Sequence, residues 1–370
     1  MIKKTVGILT FYNAHNYGAV LQAYALKKKI ESLNMECSII CYKNKLIEES
    51  YPYNRKFIIK NKSIKGFVKL PIDAFNVFYS KKMYHEKWNK FNKFINELSD
   101  NCNDIYTAKN ELNNINFDYI ICGSDQIWNP ILTGGLDGAF FVDFKTKAKK
   151  ISFAASMGLK KLPEEEEKKF FKLIKNFDYI SVREESLKKY INSNYEKEVN
   201  VVLDPTLLID KEEYDDIIEN PKSDKKYILV YCLMENRNMV KLAHKIAKEK
   251  GLEVIEMRFF KDITYVSHNQ KANLSPGEFL GYIKNAEMVI SNSFHGTVFS
   301  IIFNKLFFTI PLGAVSSRME NLLETLGLSN RLKRAEEDFD INEDIDYSIV
   351  NKKLIKSREK SIEFLLKALS

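Results

Sequence analysis

A histidine stands at a turn between a strand-like run, residues 286–290, and a helix-like apolar run that starts at Thr297. Histidine exchanges its side-chain proton near neutral pH, and a helix N-terminus offers unpaired N–H groups to an anion. These residue types therefore predict a site for anion binding and proton transfer, although a purely structural histidine would also fit the turn. The candidates are Ser291, Asn292, Ser293, His295 and Gly296.

A second polar loop, residues 13–18, lies before the first predicted helix. Asparagine caps helices and glycine permits tight turns, so local turn chemistry explains much of this composition. The same groups above a helix N-terminus also suit an anion or a sugar. Both interpretations stay open for Asn13, His15, Asn16 and Gly18.

A third polar loop follows the apolar run 119–122. Ser124, Asp125 and Gln126 carry hydrogen-bonding groups that suit sugar hydroxyls. A carboxylate such as that of Asp125 can deprotonate or orient a hydroxyl. The alternative is a polar turn anchored by Trp128, and of the two we favour a binding loop.

Two arginines lie where predicted strands end and helices begin. A guanidinium group binds phosphate or carboxylate through two parallel hydrogen bonds. Arg183 is therefore a candidate anion ligand, and an ion pair with Glu184 or Glu185 is the alternative. Arg318 is a second candidate, with a solvated side chain as its alternative.

Strand-like and helix-like runs alternate along most of the chain. This alternation predicts an α/β fold with two Rossmann-like domains and a cleft between them. We expect the first domain at residues 1–210, with an insertion at about 43–100, and the second at 225–346. The segment 347–370 is an amphipathic helix that we expect to pack back on the first domain. No G-x-G-x-x-G motif supports dinucleotide binding.

The insertion carries most of the excess positive charge of the chain. It contains 13 lysines and arginines against six acidic residues, whereas the net charge of the whole chain is +8. Its pattern predicts two helices, at 65–79 and 82–98. A basic, aromatic-rich segment favours an anionic partner: a membrane surface, a phosphorylated lipid carrier or nucleic acid. We expect peripheral contact with the inner face of a membrane and no nucleic-acid partner.

Composition also limits cofactors and location. The five cysteines are scattered and lack metal-binding spacing, and the histidines form no H-x-E motif, so we expect no metal and no cofactor. No apolar run approaches the roughly 20 residues of a membrane span, and the first residues lack the pattern of a signal peptide. We expect a cytoplasmic protein with reduced thiols.

Five segments occur in a fixed order along the chain: NAHNYGAVLQAYAL (13–26), FDYIICGSDQIW (117–128), SVREES (181–186), VLDPTL (202–207) and SNSFHGTVFS (291–300). Together they resemble the polysaccharide pyruvyl transferase family from about residue 5 to residue 328. Each segment is weakly specific alone, and the five together are fairly specific. The insertion and the C-terminal tail show no such resemblance.

The resemblance implies a glycosyltransferase-B-like fold. It also implies transfer of pyruvate from phosphoenolpyruvate to a sugar, which leaves a ketal on a cell-surface polysaccharide or its lipid-linked precursor. Arg183 matches the family arginine linked to donor binding, and His295 matches the family histidine linked to catalysis. Many members carry arginine two residues before this histidine, where this chain has Ser293, and Arg318 is our candidate replacement.

Two other functions fit the same pattern. One is a glycosyltransferase that uses a nucleotide sugar in the same two-domain cleft. The other is a sugar-binding relative without catalytic activity. The acceptor sugar, its reacting hydroxyls and the oligomeric state do not follow from these residues.

Overall fold

The computed structural model describes most of the chain, and its described residues contain two parallel sheets. Fully apolar strands such as Tyr119–Cys122, buried at every position, are typical of the centre of a parallel sheet covered on both faces. The described residues are 3–51, 70–100, 102, 104–159, 161–222, 225–258, 269–311, 317–337 and 340–370.

The first sheet has six parallel strands in the order β2-β1-β3-β4-β5-β6. Its strands are β1 (Thr5–Leu9), β2 (Glu36–Ile39), β3 (Tyr119–Cys122), β4 (Lys149–Ala155), β5 (Tyr179–Val182) and β6 (Val199–Val201). The strand order reverses between β1 and β3. The loops after these two strands therefore open side by side at the carboxyl edge, where open α/β sheets bind ligands.

The second sheet has five parallel strands in the order β11-β10-β7-β8-β9. They are β7 (Tyr227–Cys232), β8 (Glu253–Arg258), β9 (Gln270–Lys271), β10 (Met288–Ser291) and β11 (Leu306–Thr309). This sheet reverses between β7 and β10, so the histidine turn after β10 lies at its topological switch point.

Helices connect the strands of both sheets. Those of the first part of the chain are α1 (Tyr17–Ser32), α2 (Lys45–Ser50), α3 (Leu70–Leu98), α4 (Pro130–Thr133), α5 (Glu164–Leu173) and α6 (Glu185–Asn192). Those of the second part are α7 (Arg237–Lys250), α8 (Pro276–Lys284), α9 (Phe294–Ile302), α10 (Ser317–Leu326) and α11 (Tyr347–Ala368). The sheets and helices form two Rossmann-like domains.

The insertion differs from its prediction. The break expected between two helices, near residues 80–81, is wrong, because α3 is one continuous helix of 29 residues. After Pro71 the helix contains no proline or glycine, so its sequence holds no backbone breaker. Residues 65–69 of the first predicted helix lie outside the described residues.

The C-terminal helix α11 crosses to the first domain. Ser361 Oγ accepts a hydrogen bond from the backbone N–H of Leu203, and Phe364 lies 6.2 Å from the ring of Phe153 in β4. Arg358 donates to the carbonyl oxygen of Leu207 at 2.8 Å. Helix α11 begins at Tyr347 in the second domain, so it joins the two domains.

The domains also meet directly through α1 and α8. Tyr17 stacks on Phe279 with ring centroids 4.4 Å apart, and the Tyr17 hydroxyl donates to the carbonyl of Leu274 at 3.1 Å. Lys90 of α3 pairs with Glu278 at 2.6 Å. The turn after β10 meets Gly18, in the helix after β1, and Asp204, in the loop after β6. The predicted α/β fold class with two Rossmann-like domains is confirmed. None of the described helices is both long enough and apolar enough to cross a bilayer.

Candidate functional site

The histidine turn is stabilised by its own small residues. Ser293 caps α9 and accepts from the backbone N–H of Gly296 at 3.4 Å. Ser291 Oγ accepts from the N–H of Ser293 at 3.0 Å and donates to the carbonyl of Tyr231 at 3.1 Å. A Cβ on Gly296 would lie 2.3 Å from Ser291 Oγ, so this close approach requires glycine. These three residues therefore orient His295.

Asn292 of the same turn points to a neighbouring loop. Its amide oxygen accepts from the N–H of Leu233 at 2.8 Å, and its Nδ2 donates to the carbonyl of Met234 at 2.6 Å. Leu233 and Met234 follow strand β7, the other strand at the switch point. Asn292 thus ties together the two loops that form this wall of the crevice.

His295 reaches the first domain from the first turn of α9. Its ring lies so close to Gly18 in α1 that a Cβ on Gly18 would be 1.9 Å from Nδ1. On the other side, Nε2 lies 3.7 Å from Asp204 Oδ2, an ion-pair distance too long for a hydrogen bond. Among the described residues, Nε2 has no hydrogen-bond partner. The imidazole is therefore held by packing, and one ring nitrogen remains for a ligand.

Asp204 joins His295 to Arg183. The Arg183 guanidinium lies 3.1 Å from Asp204 Oδ2, and both side chains are almost fully buried. Burial alone would raise the pKa of the Asp204 carboxyl, but the charge of Arg183, followed by His295, holds it well below its usual range. Asp204 is accordingly ionised at neutral pH and supplies the counter-charge of the site.

Ser124 positions the same guanidinium. Its hydroxyl accepts from Arg183 at 2.6 Å and donates to the carbonyl of Ala154 at 2.9 Å. Gln22 of α1 accepts a hydrogen bond from the backbone N–H of Ser124, and the Thr10 hydroxyl donates to the backbone carbonyl of Ser124. The loop after β3 is thus fixed from both sides, and Ser124 presents one oxygen to Arg183.

A second guanidinium lies beside the first. The carbon centres of both guanidinium groups lie over the ring of Phe294, Arg183 at 5.2 Å and Arg318 at 5.4 Å. Arg318 lies 4.0 Å from Asp125. With the Gln126 amide oriented so that its oxygen faces Arg318, that oxygen accepts from Nη2 at 3.1 Å and from Nη1 at 3.2 Å. Aromatic contact permits two cations to lie this close. Burial and then the charge of Arg183 lower the pKa of Arg318.

Both arginines retain unused donors. Within the described ranges, Nε and Nη1 of Arg183 and Nε of Arg318 have no hydrogen-bond partner. Buried polar groups are nearly always paired, and an unpaired one costs about 1–3 kcal/mol. Such donors, next to the N-terminus of α9, are of the kind that binds an anion with several oxygens, and we call this cluster the candidate anion site.

Glu184 is a buried carboxyl in the same site. Its Oε1 accepts from Ser156 Oγ at 2.5 Å, whereas Oε2 has no partner in the described part of the chain. Burial raises the pKa of Glu184, although Ser156 and the two guanidinium groups oppose that shift. The sequence alternative that paired Arg183 with Glu184 or Glu185 does not match the geometry, because Arg183 pairs with Asp204.

The loop at residues 13–18 divides into two parts. Asn16 caps α1 by accepting from the N–H groups of Gly18 and Ala19, so the local turn explanation accounts for it. Asn13 donates to Glu48. His15 stacks on Phe91 of α3 at 5.3 Å. Asn13 and His15 therefore face a separate pocket against the insertion, whereas Gly18 faces His295.

A model of the polysaccharide pyruvyl transferase family matches residues 16–312. The chain belongs to the polysaccharide pyruvyl transferase family. The resemblance noted in the sequence is thereby confirmed, and the protein is a transferase by family. The matched span contains His295, Arg183 and Asp204, whereas Arg318 lies beyond its end. None of the curated proteins compared with the chain matches it significantly.

Solved structures of similar overall shape are distant in sequence. A UDP-GlcNAc 2-epimerase from Methanocaldococcus jannaschii is 14% identical, with a TM-score of 0.46, over 97% of this chain and 92% of that one. A UDP-N-acetylglucosamine 2-epimerase from Rickettsia bellii is 11% identical, with a TM-score of 0.45, over 99% and 97%. A glycosyltransferase from Streptomyces nogalater is 9% identical, with a TM-score of 0.38, over 100% of both chains.

Three residues of this pyruvyl transferase family member were not among the sequence candidates: Asp204, Glu184 and Phe294. Asp204 lies in the VLDPTL segment, where an aspartate before proline is explained by helix capping, and it does accept from the N–H of Thr206. Glu184 and Phe294 are immediate neighbours of Arg183 and His295. For Glu184 and Phe294, the signal available in the sequence was their position next to a candidate residue. No described group of three His, Cys, Asp or Glu side chains is arranged to hold a metal ion.

Proposed function

We propose that the protein transfers a pyruvyl group from phosphoenolpyruvate to a sugar and forms a pyruvate ketal on a cell-surface polysaccharide or its lipid-linked precursor. The observation that carries the proposal is the meeting of His295 and Arg183 at one carboxylate, Asp204, between the two domains. A proton donor and an anion ligand are thus within reach of the same small molecule.

The donor carries a phosphate and a carboxylate, and the site offers two guanidinium groups. Arg318 is the more accessible, with 17% of its side chain exposed against 2% for Arg183. We assign Arg318 to direct contact with one anionic group and Arg183 to contact through its unused Nε and Nη1 donors. Arg318 thereby takes the place of the arginine that many family members carry where this chain has Ser293.

The reaction needs an acid and then room for two hydroxyls. The methylene carbon of phosphoenolpyruvate takes a proton from the His295 imidazolium, and the adjacent carbon becomes electrophilic. One sugar hydroxyl adds there and a second displaces phosphate; each hydroxyl loses its proton, so one restores the acid and one leaves with the phosphate. Ionised Asp204, 3.7 Å from Nε2, supplies a negative charge beside the ring that donates this proton.

The test separates phosphoenolpyruvate from nucleotide sugars. The purified protein is screened by thermal unfolding against phosphoenolpyruvate and a set of UDP- and GDP-sugars. It is then incubated with phosphoenolpyruvate and a panel of glycosides while phosphate release and product mass are measured. We expect protection by phosphoenolpyruvate and acceptor-dependent phosphate release. Saturable protection by a nucleotide sugar, without any by phosphoenolpyruvate, would assign the protein to the rival glycosyltransferase function.

Peripheral membrane contact through the insertion stays a prediction, because residues 52–69 lie outside the described residues. Helices α2 and α4 are in contact at the start of the insertion, and they carry the exposed apolar side chains Leu46, Leu132 and Ile131, the last of which is 67% exposed. We expect the protein to co-sediment with vesicles that contain anionic lipid. Ile131→Glu should weaken this binding, and equal sedimentation of both proteins would contradict the contact.

A further inference from the structure

A pocket of 180 Å³ lies between the loop at residues 13–15 and the insertion helix α3. Its volume is far above the roughly 10–15 Å³ that a single water needs by the same measure, so the pocket has room for a small-molecule ligand. The Arg183 guanidinium and His295 do not line it, so it is distinct from the anion site. Its lining includes Asn13, His15, Tyr51, Trp88, Asn92 and Asn96.

We infer that this pocket binds one neutral sugar ring of the acceptor, and this inference rests on the proposed function. The insertion helix, which the sequence did not relate to the family, would then select the acceptor. Four observations support the assignment: an unused amide donor, a balanced charge, aromatic walls and a shared boundary with the anion site.

The unused donor belongs to Asn92. Asn92 lines the pocket next to His15. Within the described residues the Asn92 Nδ2 is buried and has no hydrogen-bond partner. An orphaned donor in a pocket calls for a ligand oxygen, because a buried donor left unpaired is costly. A sugar hydroxyl is such an acceptor.

The charges of the lining exclude a preference for an anion. Lys43 and Glu48 are its charged residues, and they lie 3.7 Å apart as an ion pair. Burial lowers the pKa of His15 to about 4, so the imidazole is neutral at physiological pH. Phosphoenolpyruvate and nucleoside diphosphates carry several negative charges, and this pocket offers them no net positive charge. A neutral, hydroxyl-rich ring matches the amides.

Aromatic rings form the apolar wall. Trp88 and Tyr51 flank His15, with ring centroids at 5.4 and 5.9 Å. Rings of this kind combine an apolar face with a polar edge, which suits a pyranose, whose C–H face is apolar and whose rim carries hydroxyls. The side-chain amides that line the pocket then hydrogen-bond to the sugar hydroxyls and orient the ring.

The pocket and the anion site share a boundary. His15 lies three residues before Gly18, against which His295 packs. Tyr51 lines the pocket, and burial together with the charge of Asp125 raises the pKa of its phenol to about 12. Asp125 in turn contacts Arg318 in the anion site. A glycoside held in the pocket can thus direct a neighbouring hydroxyl or sugar towards the donor.

The experiment measures glycoside binding without the donor. Ligand-observed saturation-transfer NMR is recorded for the full chain with methyl glycosides of glucose, galactose, mannose and N-acetylglucosamine. The variant Asn92→Leu removes the orphaned donor at similar volume. Asn89→Leu is the matched control, because Asn89 is exposed on the same helix. We expect at least one glycoside to bind the wild type and the control equally, and to bind Asn92→Leu about 5–10-fold more weakly.

Phosphoenolpyruvate binding is measured on the same proteins by thermal unfolding. We expect Asn92→Leu to retain it. Equal glycoside binding by wild type and Asn92→Leu, or no glycoside binding to the wild type, would overturn the inference. Weaker phosphoenolpyruvate binding by Asn92→Leu, with glycosides unaffected, would assign the pocket to the donor and also overturn it. If glycosides behave as expected and phosphoenolpyruvate does not bind at all, the pocket stands and the proposed donor is wrong.

Discussion

His295 of the second domain and Asp204 of the first lie 3.7 Å apart, from Nε2 to Oδ2, across the interface between the two Rossmann-like halves. The same carboxylate oxygen lies 3.1 Å from Arg183. One buried anion therefore aligns an imidazole and a guanidinium that come from different sheets. The three side chains meet only when the domains are together, so we expect a change in the relative position of the domains to disrupt the proposed catalysis and anion binding.

Replacing His295 by glutamine should abolish transfer without unfolding the protein. The amide occupies much of the imidazole volume against Gly18 but cannot donate a proton to carbon. General acid catalysis contributes typically 10²–10⁴-fold, and we expect a loss of kcat of at least about 100-fold. Phosphate release measures it. The unfolding midpoint should stay within about 3 °C. His244→Gln, half-exposed and paired with Glu256, is the control; full activity of His295→Gln would remove the imidazole from the mechanism.

Arg318→Gln should raise KM for phosphoenolpyruvate about tenfold and change kcat far less. A charge-assisted hydrogen bond contributes about 1.5–3 kcal/mol, and the partial exposure of Arg318 places the effect near the lower end. Steady-state kinetics with phosphoenolpyruvate varied at fixed acceptor provide the measurement. Arg334→Gln, an exposed arginine, is the control. Unchanged kinetics in Arg318→Gln would show that another group supplies the charge missing at Ser293.

Asp204→Asn should destabilise the protein by about 3–5 kcal/mol at pH 7, because it leaves a buried guanidinium without its counter-charge. The lowered pKa of Asp204 means that its carboxylate stabilises the fold above the pKa of the unfolded chain, about 3.9. The stability difference between wild type and variant should therefore be constant from about pH 5 to 8 and shrink as the pH falls below about 4. Urea unfolding at each pH measures it; a difference that grows in acid would contradict the assignment.

Glu184→Gln should have the opposite pH dependence. Burial raises the pKa of Glu184, so its contribution to stability is full below the pKa of the unfolded carboxyl, about 4.3, and is lost as the pH rises through the folded value. The variant should gain stability relative to wild type as the pH rises above about 4. Glu185→Gln, the exposed neighbour, should show no such trend in the same urea titration. Parallel curves for the two variants would mean that Glu184 is ionised normally.

Local patterns in the sequence were sufficient to predict the alternation of strands and helices and the polar turns after the strands. Short apolar runs bounded by turn residues favour buried parallel strands, and small hydroxyls and glycine make turns by local hydrogen bonding. For this reason the fold class and the position of His295 at a helix start followed from residues a few positions apart. The same local reasoning wrongly predicted a helix break in the insertion, because residues 80–81 are polar but do not interrupt a helix.

The partners of these residues depend on contacts between distant parts of the chain. Arg183 meets Asp204 rather than the adjacent Glu184 or Glu185, because β5 and β6 end side by side and direct both side chains into the crevice. His295 meets Gly18, although 277 residues separate them in the sequence. Asn13 and His15 instead contact the insertion, through Glu48 of α2 and Phe91 of α3. Charge pairing and burial are properties of the assembled domains, and no spacing along the chain encodes them.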